Sequence, residues 1–369
     1  MLLHLMFDEK IINRTIGLFE QELPGCNRYV IFGRRGPFRH VTPSERVISS
    51  DRYRPEDDSP VTAVVVHSLD MEKAAFIERH CPPGIPVYWI IWGKDLYNTL
   101  LSPKGFRMYD RSAAYYTPLR RLRAPFHGIK YRIRAARIMR FVRRRVTCLV
   151  TDITHNDYDV FARYYPEIRR IAHAEFFYYP IDEILGEELL GAEISGQNIL
   201  VGNSNSLTNN HEYAFRQLAG LQLGERKVIV PLSYNGKPAY RKTILEAGEK
   251  AFGEKFMPLT QFMPLAEYNR LMQTASVAIY GNWRQEAIGN IIIALYLGAK
   301  VFIAARNPVL AWARAMGLHV FELEQIDQQK LDTPLTQAER QQNRTILSER
   351  FDRAHFLEAV HTIFSHDAQ

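Results

Sequence analysis

The sequence predicts an α/β protein made of two doubly wound parallel-sheet domains, and three observations predict it. In the second half, short apolar runs at Asn198–Val201, Val228–Val230, Phe256–Leu259, Val277–Tyr280, Lys300–Ile303 and His319–Phe321 recur every 19 to 30 residues. Helical patterns separate most of them, and β-α repeats of that length make a parallel sheet covered on both faces. The first half alternates strands and helices in the same manner. The chain has 369 residues, 46% of them apolar, which suits about two domains with real cores and excludes a disordered or low-complexity protein.

In order, Leu2–Phe7, Tyr29–Phe32, Ala63–His67 and Val87–Trp92 are rich in Val, Ile and aromatic residues and read as strands. Glu9–Leu23 places Ile12, Ile16, Phe19 and Leu23 at helical spacing, and Met71–His80 is a second helix. Tyr97–Phe126 has no clean period and stays unassigned. Cys148–Val150 is a further strand. The second half has helical patterns at Asn210–Leu218, Pro238–Phe252, Leu265–Thr274, Ala287–Leu297 and Pro308–Met316. A last helix, around Arg344–Phe364, has no strand after it and goes with the second domain. The junction falls near Pro180–Gly196, giving domains 1–185 and 186–369.

Several classes fall away. The longest uncharged apolar stretch, Ala287–Ala299, is short of the ~18–20 residues of a membrane span. The start, Met1–Phe7 followed by Asp8 and Glu9, is wrongly flanked for a secretory signal and reads as a first strand. Cys26, Cys81 and Cys148 are odd in number without CxxC spacing, so a reducing cytoplasm is expected. No P-loop, HExxH, GxSxG or GxGxxG pattern occurs, which disfavours NTPases, zincins, α/β-hydrolases, dehydrogenases and nucleotide-sugar epimerases.

The net charge of +7 is concentrated: residues 120–145 hold 11 Lys and Arg and no acid, and the remainder has 36 basic against 40 acidic residues. At ~100° per residue, Tyr131, Ala135, Ile138, Met139, Val142 and Val146 share one helical face, and Lys130, Arg134, Arg137, Arg140, Arg144 and Arg145 the opposite one. A basic amphipathic helix fits an anionic membrane surface, with Arg134, Arg137, Arg140 and Arg144 as contacts and the bulky apolar residues for insertion. A domain helix with a solvated basic face would have the same pattern. No nucleic-acid-binding module is present, and nucleic acid is not an expected partner.

Open α/β sheets hold ligands at the carboxyl ends of their strands. Gly202–His211 follows one strand, precedes a helix, and is polar except at Leu207. Its Gly allows close backbone approach, helix-start amides favour an anion, and Asn203, Ser204, Asn209, Asn210 and His211 offer hydrogen bonds to phosphate or sugar. Asn and Ser are also ordinary N-caps, so a capped solvent loop fits the same residues. Tyr234 follows the next strand and can stack on a base or sugar. Asn282, Arg284 and Gln285, with Gly289 and Asn290, open a helix that is otherwise apolar, an arrangement suited to a diphosphate. In the first half, Trp92, Gly93, Lys94 and Asp95 end a strand, as do Asp8, Glu9 and Lys10. Asp95, Asp8 and His155, in that order, are the candidates to take a proton; an N-cap or first-turn role explains the two acids equally well. Asp157-Tyr158-Asp159 has DxD spacing but stands at a helix start, so metal ligation is not expected.

The runs Asp8-Glu9-Lys10, Trp92-Gly93-Lys94-Asp95-Leu96-Tyr97 and Val201-Gly202-Asn203-Ser204, with Asn209-Asn210-His211, resemble the bacterial dTDP-4-acetamido-4,6-dideoxygalactose (Fuc4NAc) transferases, glycosyltransferase family 56. The resemblance spans roughly residues 1–320. It departs at Arg284-Gln285-Glu286, where the family has a Gln-rich stretch, and at the basic segment. It implies a GT-B fold, two facing Rossmann-like domains with a cleft between them. It also implies transfer of a Fuc4NAc-like sugar from a dTDP-sugar to a polyprenyl-diphosphate-linked glycan, in enterobacterial common antigen or O-antigen synthesis. The place would be the cytoplasmic face of the inner membrane, with peripheral attachment. The donor would lie on Gly202–His211, Tyr234 and Asn282–Asn290, the acceptor near Glu9, Lys10, Trp92, Gly93 and Lys94, without a cofactor or metal. A non-catalytic nucleotide- or lipid-binding α/β protein is the alternative.

Overall fold

The computed structural model describes residues 1–33, 36–57, 59–111, 118–151 and 155–364, except for the side chains of 57, 118–127, 155 and 265. It divides into two compact units. The first holds residues 1–106 and 125–179 together with the helix Arg353–Phe364, and the second the described residues of 107–124 and 180–352. The division therefore falls at Tyr179/Pro180, and the terminal helix belongs to the first unit rather than the second.

The first unit is a parallel sheet of seven strands: β1 (Leu2–Phe7), β2 (Asn27–Phe32), β3 (Val47–Ser49), β4 (Ala63–His67), β5 (Val87–Ile90), β6 (Cys148–Thr151) and β7 (Ala172–Glu175), in the order β3-β2-β1-β4-β5-β6-β7. The central strands are nearly all apolar because both faces are covered; β4, Ala-Val-Val-Val-His, is buried throughout. The sequence pattern missed β3 and β7. Both are short edge strands of partly exposed residues, Val-Ile-Ser and Ala-His-Ala-Glu, too brief to print an apolar run.

The segment without a clean period begins as a π-helix, Lys94–Leu101. Its buried residues are Asp95, Leu96, Tyr97, Leu100 and Leu101, a recurrence after four positions that stops after one repeat and so prints no sustained period. The expected last helix is two, Gln337–Arg350 and Arg353–Phe364, one in each unit. A Thr336/Glu339 capping box starts the former. The latter inserts Phe356, Val360 and Phe364 among Phe19 and Phe176 of the first core, with the Phe19 and Phe364 ring centroids 5.5 Å apart.

The second unit is a parallel sheet of six: β8 (Asn198–Val201), β9 (Val228–Pro231), β10 (Phe256–Leu259), β11 (Ala275–Tyr280), β12 (Lys300–Ile303) and β13 (Val320–Glu322), ordered β10-β9-β8-β11-β12-β13. In both sheets the winding reverses beside the first strand, between β1 and β4 and between β8 and β11. A reversal sends neighbouring loops in opposite directions and opens a crevice at the strand ends. Among the described residues no helix is long and apolar enough to cross a membrane.

Candidate functional site

The loops that leave β8, β9 and β11 are stitched together at the second crevice. Gly202, with φ +71°, starts the first; a β-carbon there would stand 2.7 Å from Asn209 Oδ1 and 3.0 Å from His211 Nε2. Asn209 Oδ1 takes the Asn203 amide N–H at 2.9 Å, and its Nδ2 donates to Ser204 Oγ at 3.1 Å. Asn210 adopts the left-handed conformation, which Asn tolerates better than other side chains do, as N-cap of the helix His211–Leu218. Its amide donates to Gly281 O at 3.0 Å and Met108 O at 3.2 Å and accepts from Asp110 N at 3.1 Å. Gly281 must be glycine, since a β-carbon would come within 2.8 Å of Asn209 O. The β9 loop joins through Asn205, whose N–H donates to Tyr234 O at 2.9 Å and whose Nδ2 donates to Asn235 O at 3.1 Å. Tyr234 projects from this loop, 42% exposed.

After β11 the chain lays down Asn282, Trp283, Arg284 and Gln285, all buried, and turns at Ala287, φ +66°, into the helix Ile288–Leu297. Arg284 Nη2 pairs with Glu286 Oε2 at 3.2 Å, and Asn282 Nδ2 donates to the same oxygen at 3.0 Å. Glu286 thus orients the guanidinium but offsets its charge. At the helix start Asn290 Nδ2 donates to the Tyr268 hydroxyl at 2.7 Å, while a β-carbon on Gly289 would meet nothing within 4 Å.

These loops also hold unpaired buried polar atoms: Asn203 Oδ1, Asn205 Oδ1, His211 Nε2, Asn282 Oδ1 and Arg284 Nε have no partner among the described residues. Such groups cost about 1–3 kcal/mol each when left unmet in a stable core; others, such as Asn98 Oδ1, Asn269 Oδ1 and Asn343 Nδ2, lie elsewhere in the two units. His211 is neutral: burial pushes its pKa down to about 3. Tyr240 accepts the His211 backbone N–H and lies 2.9 Å from Nδ1, so its hydroxyl donates there and the ring proton sits on Nε2. His211 therefore faces Gly202 as a neutral donor.

The crevice of the first unit is built differently. Asp8, just past β1, accepts the backbone N–H of Arg39, His40 and Val41 at 2.6, 2.9 and 3.0 Å. Desolvation opposes its charge, but those three donors prevail and lower its pKa. Glu9 and Lys10 beside it are exposed. Asp95 is corrected. It is 4% exposed, and its Oδ2 accepts from Leu69 N at 2.9 Å and Trp89 Nε1 at 2.8 Å, its Oδ1 from Trp92 N at 3.0 Å and Leu96 N at 3.1 Å. Four donors fill a carboxylate, so it has no lone pair left for a substrate proton and instead ties the β4 and β5 loops together. Burial still raises its pKa against those donors. Gly93, φ +79°, shapes this turn, with Lys94 exposed beyond it. Asp157 accepts from the Tyr97 hydroxyl and is buried. The side chain of His155 lies outside the described residues. Among those residues no group of three or more His, Cys, Asp or Glu is gathered for a metal.

A model of the family described as 4-alpha-L-fucosyltransferase, glycosyl transferase group 56, matches residues 121–356, more than half of the chain. The chain belongs to glycosyltransferase group 56. The group 56 chain is also similar in structure to an alpha,alpha-trehalose-phosphate synthase (UDP-forming) from Burkholderia vietnamiensis, with a TM-score of 0.62, 11% identity, and coverage of 98% of this chain and 99% of that one. Anabaena HepE in complex with UDP and glucose matches with a TM-score of 0.64 and 12% identity over 98% of both chains. Likenesses at such identities speak to the fold, which is GT-B. The expected family, fold class and glycosyltransferase activity hold.

Of the residues expected at the donor site, Gly202, Asn203, Ser204, Asn209, Asn210, His211, Asn282, Arg284, Gln285, Gly289 and Asn290 all lie on the loops and helix starts after β8 and β11, with Tyr234 on the joined β9 loop. Sequence reasoning missed Tyr240, which sets the His211 tautomer, and Arg306, whose guanidinium stacks 4.6 Å from the Trp283 ring after β12. It also missed a buried chain in the first unit. Asn27 Nδ2 donates to Leu23 O at 2.7 Å, so its Oδ1 accepts from His4 Nε2 at 3.0 Å. His4 Nδ1 must then accept from His67 Nε2 at 3.1 Å, and His67 Nδ1 from the Tyr178 hydroxyl at 2.8 Å, which in turn takes the Trp92 Nε1 proton. Every member is neutral and has one role, so Trp92 is held through four partners. The available signal was a histidine inside each of two otherwise apolar strands.

Proposed function

We propose that this group 56 glycosyltransferase takes a dTDP-activated amino-deoxy sugar of the Fuc4NAc type and transfers it to a polyprenyl-diphosphate-linked oligosaccharide. The setting is surface polysaccharide synthesis, enterobacterial common antigen or O-antigen, at the cytoplasmic face of a bacterial inner membrane. The observation that carries the donor side is the stitched crevice between β8 and β11, with its two obligatory glycines and its unpaired Asn, His and Arg atoms. In this reading Gly202 and Gly281 let the donor approach the backbone, and Tyr234 stacks on the base or sugar. Asn203, Ser204, Asn209 and His211 hydrogen-bond the sugar phosphate from one loop, and Asn210, whose amide is spent on Gly281, Met108 and Asp110, holds that loop in place. Asn282, Arg284, Gln285, Gly289 and Asn290 receive the diphosphate at the start of a buried helix.

Transfer breaks the bond between the anomeric carbon and the diphosphate oxygen and forms one to an acceptor hydroxyl. Negative charge grows on the leaving diphosphate, where helix amides and Arg284 stabilise it without a metal ion. The acceptor proton goes to a base in the first unit. Asp8, ionised and with an oxygen that accepts only one N–H, orients that hydroxyl, with His155 the other candidate. Glu9, Lys10, Trp92, Gly93 and Lys94 line the acceptor side.

The membrane part of this reading is narrower than the sequence pattern. Ile138, Met139 and Val142 are buried in the first unit and take no part in insertion, and Arg144 pairs with Glu78 at 2.6 Å. Arg134, Arg137 and Arg140 remain exposed, with Ile129, Tyr131 and Ile133 as the exposed apolar residues.

The test is transfer of radiolabelled sugar from dTDP- and UDP-sugars to polyprenyl-linked acceptors, with a thermal-shift panel of dTDP, UDP and NAD. Stabilisation by dTDP and transfer to the lipid-linked glycan are expected. Stabilisation by NAD alone, or no transfer from either donor, would end the reading.

A further inference from the structure

The helix Pro118–Arg145 changes character at Ala135. From there on, Ala135, Ile138, Met139, Phe141 and Val142 are core residues, and the last arginines are tied down. Arg143 Nε donates to Glu167 at 3.2 Å, Arg144 pairs with Glu78, and Arg145 donates to Pro82 O at 2.9 Å. Before Ala135 the described side chains are exposed all round, Ile129 at 58% and Ile133 at 49%. Among the described residues Lys130, Arg132, Arg134, Arg137 and Arg140 have no acidic partner within salt-bridge distance. Two apolar side chains and five uncompensated cations on one exposed stretch are an unfavourable way to face plain water.

On one side of this helix Arg132, Ala135, Ala136, Met139 and Arg143 face the turn Ser102–Gly105 and Tyr165 across a groove of about 690 Å³. The two alanines leave its floor open. Lys104 stands over the Tyr165 ring at 5.1 Å from the centroid, and Glu167 fixes Arg143. Glu167 also attracts Lys104, so one carboxylate serves two cations, and Arg132 has no acidic partner within salt-bridge distance among the described residues; the groove keeps an excess of positive charge. The groove on the helix's other side, about 610 Å³, is lined by Asp70 and Glu72 as well as by cations, and those carboxylates oppose an anion.

We propose that the Lys104/Arg132/Arg143 groove seats the phosphate group of an anionic lipid, with Lys104 and Arg132 as its direct partners. Arg143, held by Glu167, completes the seat, and Ile129, Tyr131 and Ile133 of the neighbouring exposed turn enter the headgroup layer. This rests on the membrane reading above and makes it local: attachment is headgroup recognition at one groove, beyond attraction spread over the helix.

The experiment is cosedimentation of the full chain with phosphatidylcholine vesicles containing phosphatidic acid or phosphatidylglycerol, at matched surface charge. Three proteins are compared: wild type, Lys104→Glu/Arg132→Glu, and the charge-matched Arg137→Glu/Arg140→Glu. The wild type should favour the exposed phosphate of phosphatidic acid. The groove variant should lose that preference and about tenfold in partitioning, the control pair less than about threefold. Equal losses in both variants, with no headgroup preference, would overturn the groove while leaving general membrane attachment standing. No binding by the wild type would remove both. Pyrophosphate that displaces the wild type from vesicles no better than salt of equal ionic strength supports the lipid assignment. Specific displacement would reassign the groove to a soluble phosphate and overturn it. Transfer to a soluble acceptor analogue, measured in parallel, should be unchanged in the groove variant.

Discussion

The Asn210 side-chain amide donates to the Gly281 carbonyl at 3.0 Å and so binds the loop after β8 to the loop after β11, across the point where the sheet's winding reverses. A left-handed Asn at a helix cap and a glycine after a strand thereby fix the width of one crevice.

Asn210→Gly keeps the left-handed backbone and removes the three side-chain hydrogen bonds. It should cost about 1–3 kcal/mol of stability and weaken donor binding by about tenfold or more. Chemical denaturation and donor titration on the same preparation check it; full donor affinity in the variant would detach this contact from the site.

Asp95→Asn should behave as a structural lesion. An amide cannot accept on both arms from four N–H donors, so stability should fall by about 2–4 kcal/mol. Turnover per folded molecule should stay within about tenfold of wild type, whereas loss of a general base costs about 10²–10⁴-fold. A larger loss at full folding would restore Asp95 to the chemistry.

Burial lowers the pKa of His4 to about 4 and of His211 to about 3, and that of His67 well below its usual value. The unfolded chain takes up these protons near pH 6.5 and the fold does not. Stability is therefore fully present above about pH 6.5 and declines as pH falls toward the folded values, by up to about 1.4 kcal/mol per unit for each histidine. Urea midpoints from pH 7.5 to 5 should drop steeply, and His211→Gln should flatten the slope. A flat wild-type profile would mean these rings are protonated in the fold.

The strand ends that carry the proposed donor site were legible because parallel strands print as apolar runs and the polar loops after them stand out. What escaped the sequence depends on contacts that have no local period. Asp95 reads the same whether its four donors come from its own turn or a substrate replaces them. Glu286 neutralises Arg284 only because both turn the same way before Ala287. The basic helix looked amphipathic along its whole length, but Ala135–Val142 spends its apolar face on the core, and the exposed bulky apolar residues are those of the turn before it, Ile129, Tyr131 and Ile133. The edge strands β3 and β7 lack the second covered face that makes a strand recognisable.

Activity should survive EDTA, since Asp157 of the DxD run is buried against the Tyr97 hydroxyl. Complete loss restored by Mg²⁺ or Mn²⁺ would reverse this and bring Asp159 back as a ligand.

Diphosphate binding to Gly289→Asp tests the donor site most directly. Gly289 is in the first turn of the helix Ile288–Leu297, and a β-carbon there meets nothing within 4 Å. An acid at that end of a helix favours the fold by about 0.3–1 kcal/mol but repels an arriving diphosphate. The account predicts an unchanged or higher melting temperature together with at least about tenfold weaker dTDP binding by calorimetry. Equal dTDP affinity in the variant and the wild type would contradict it.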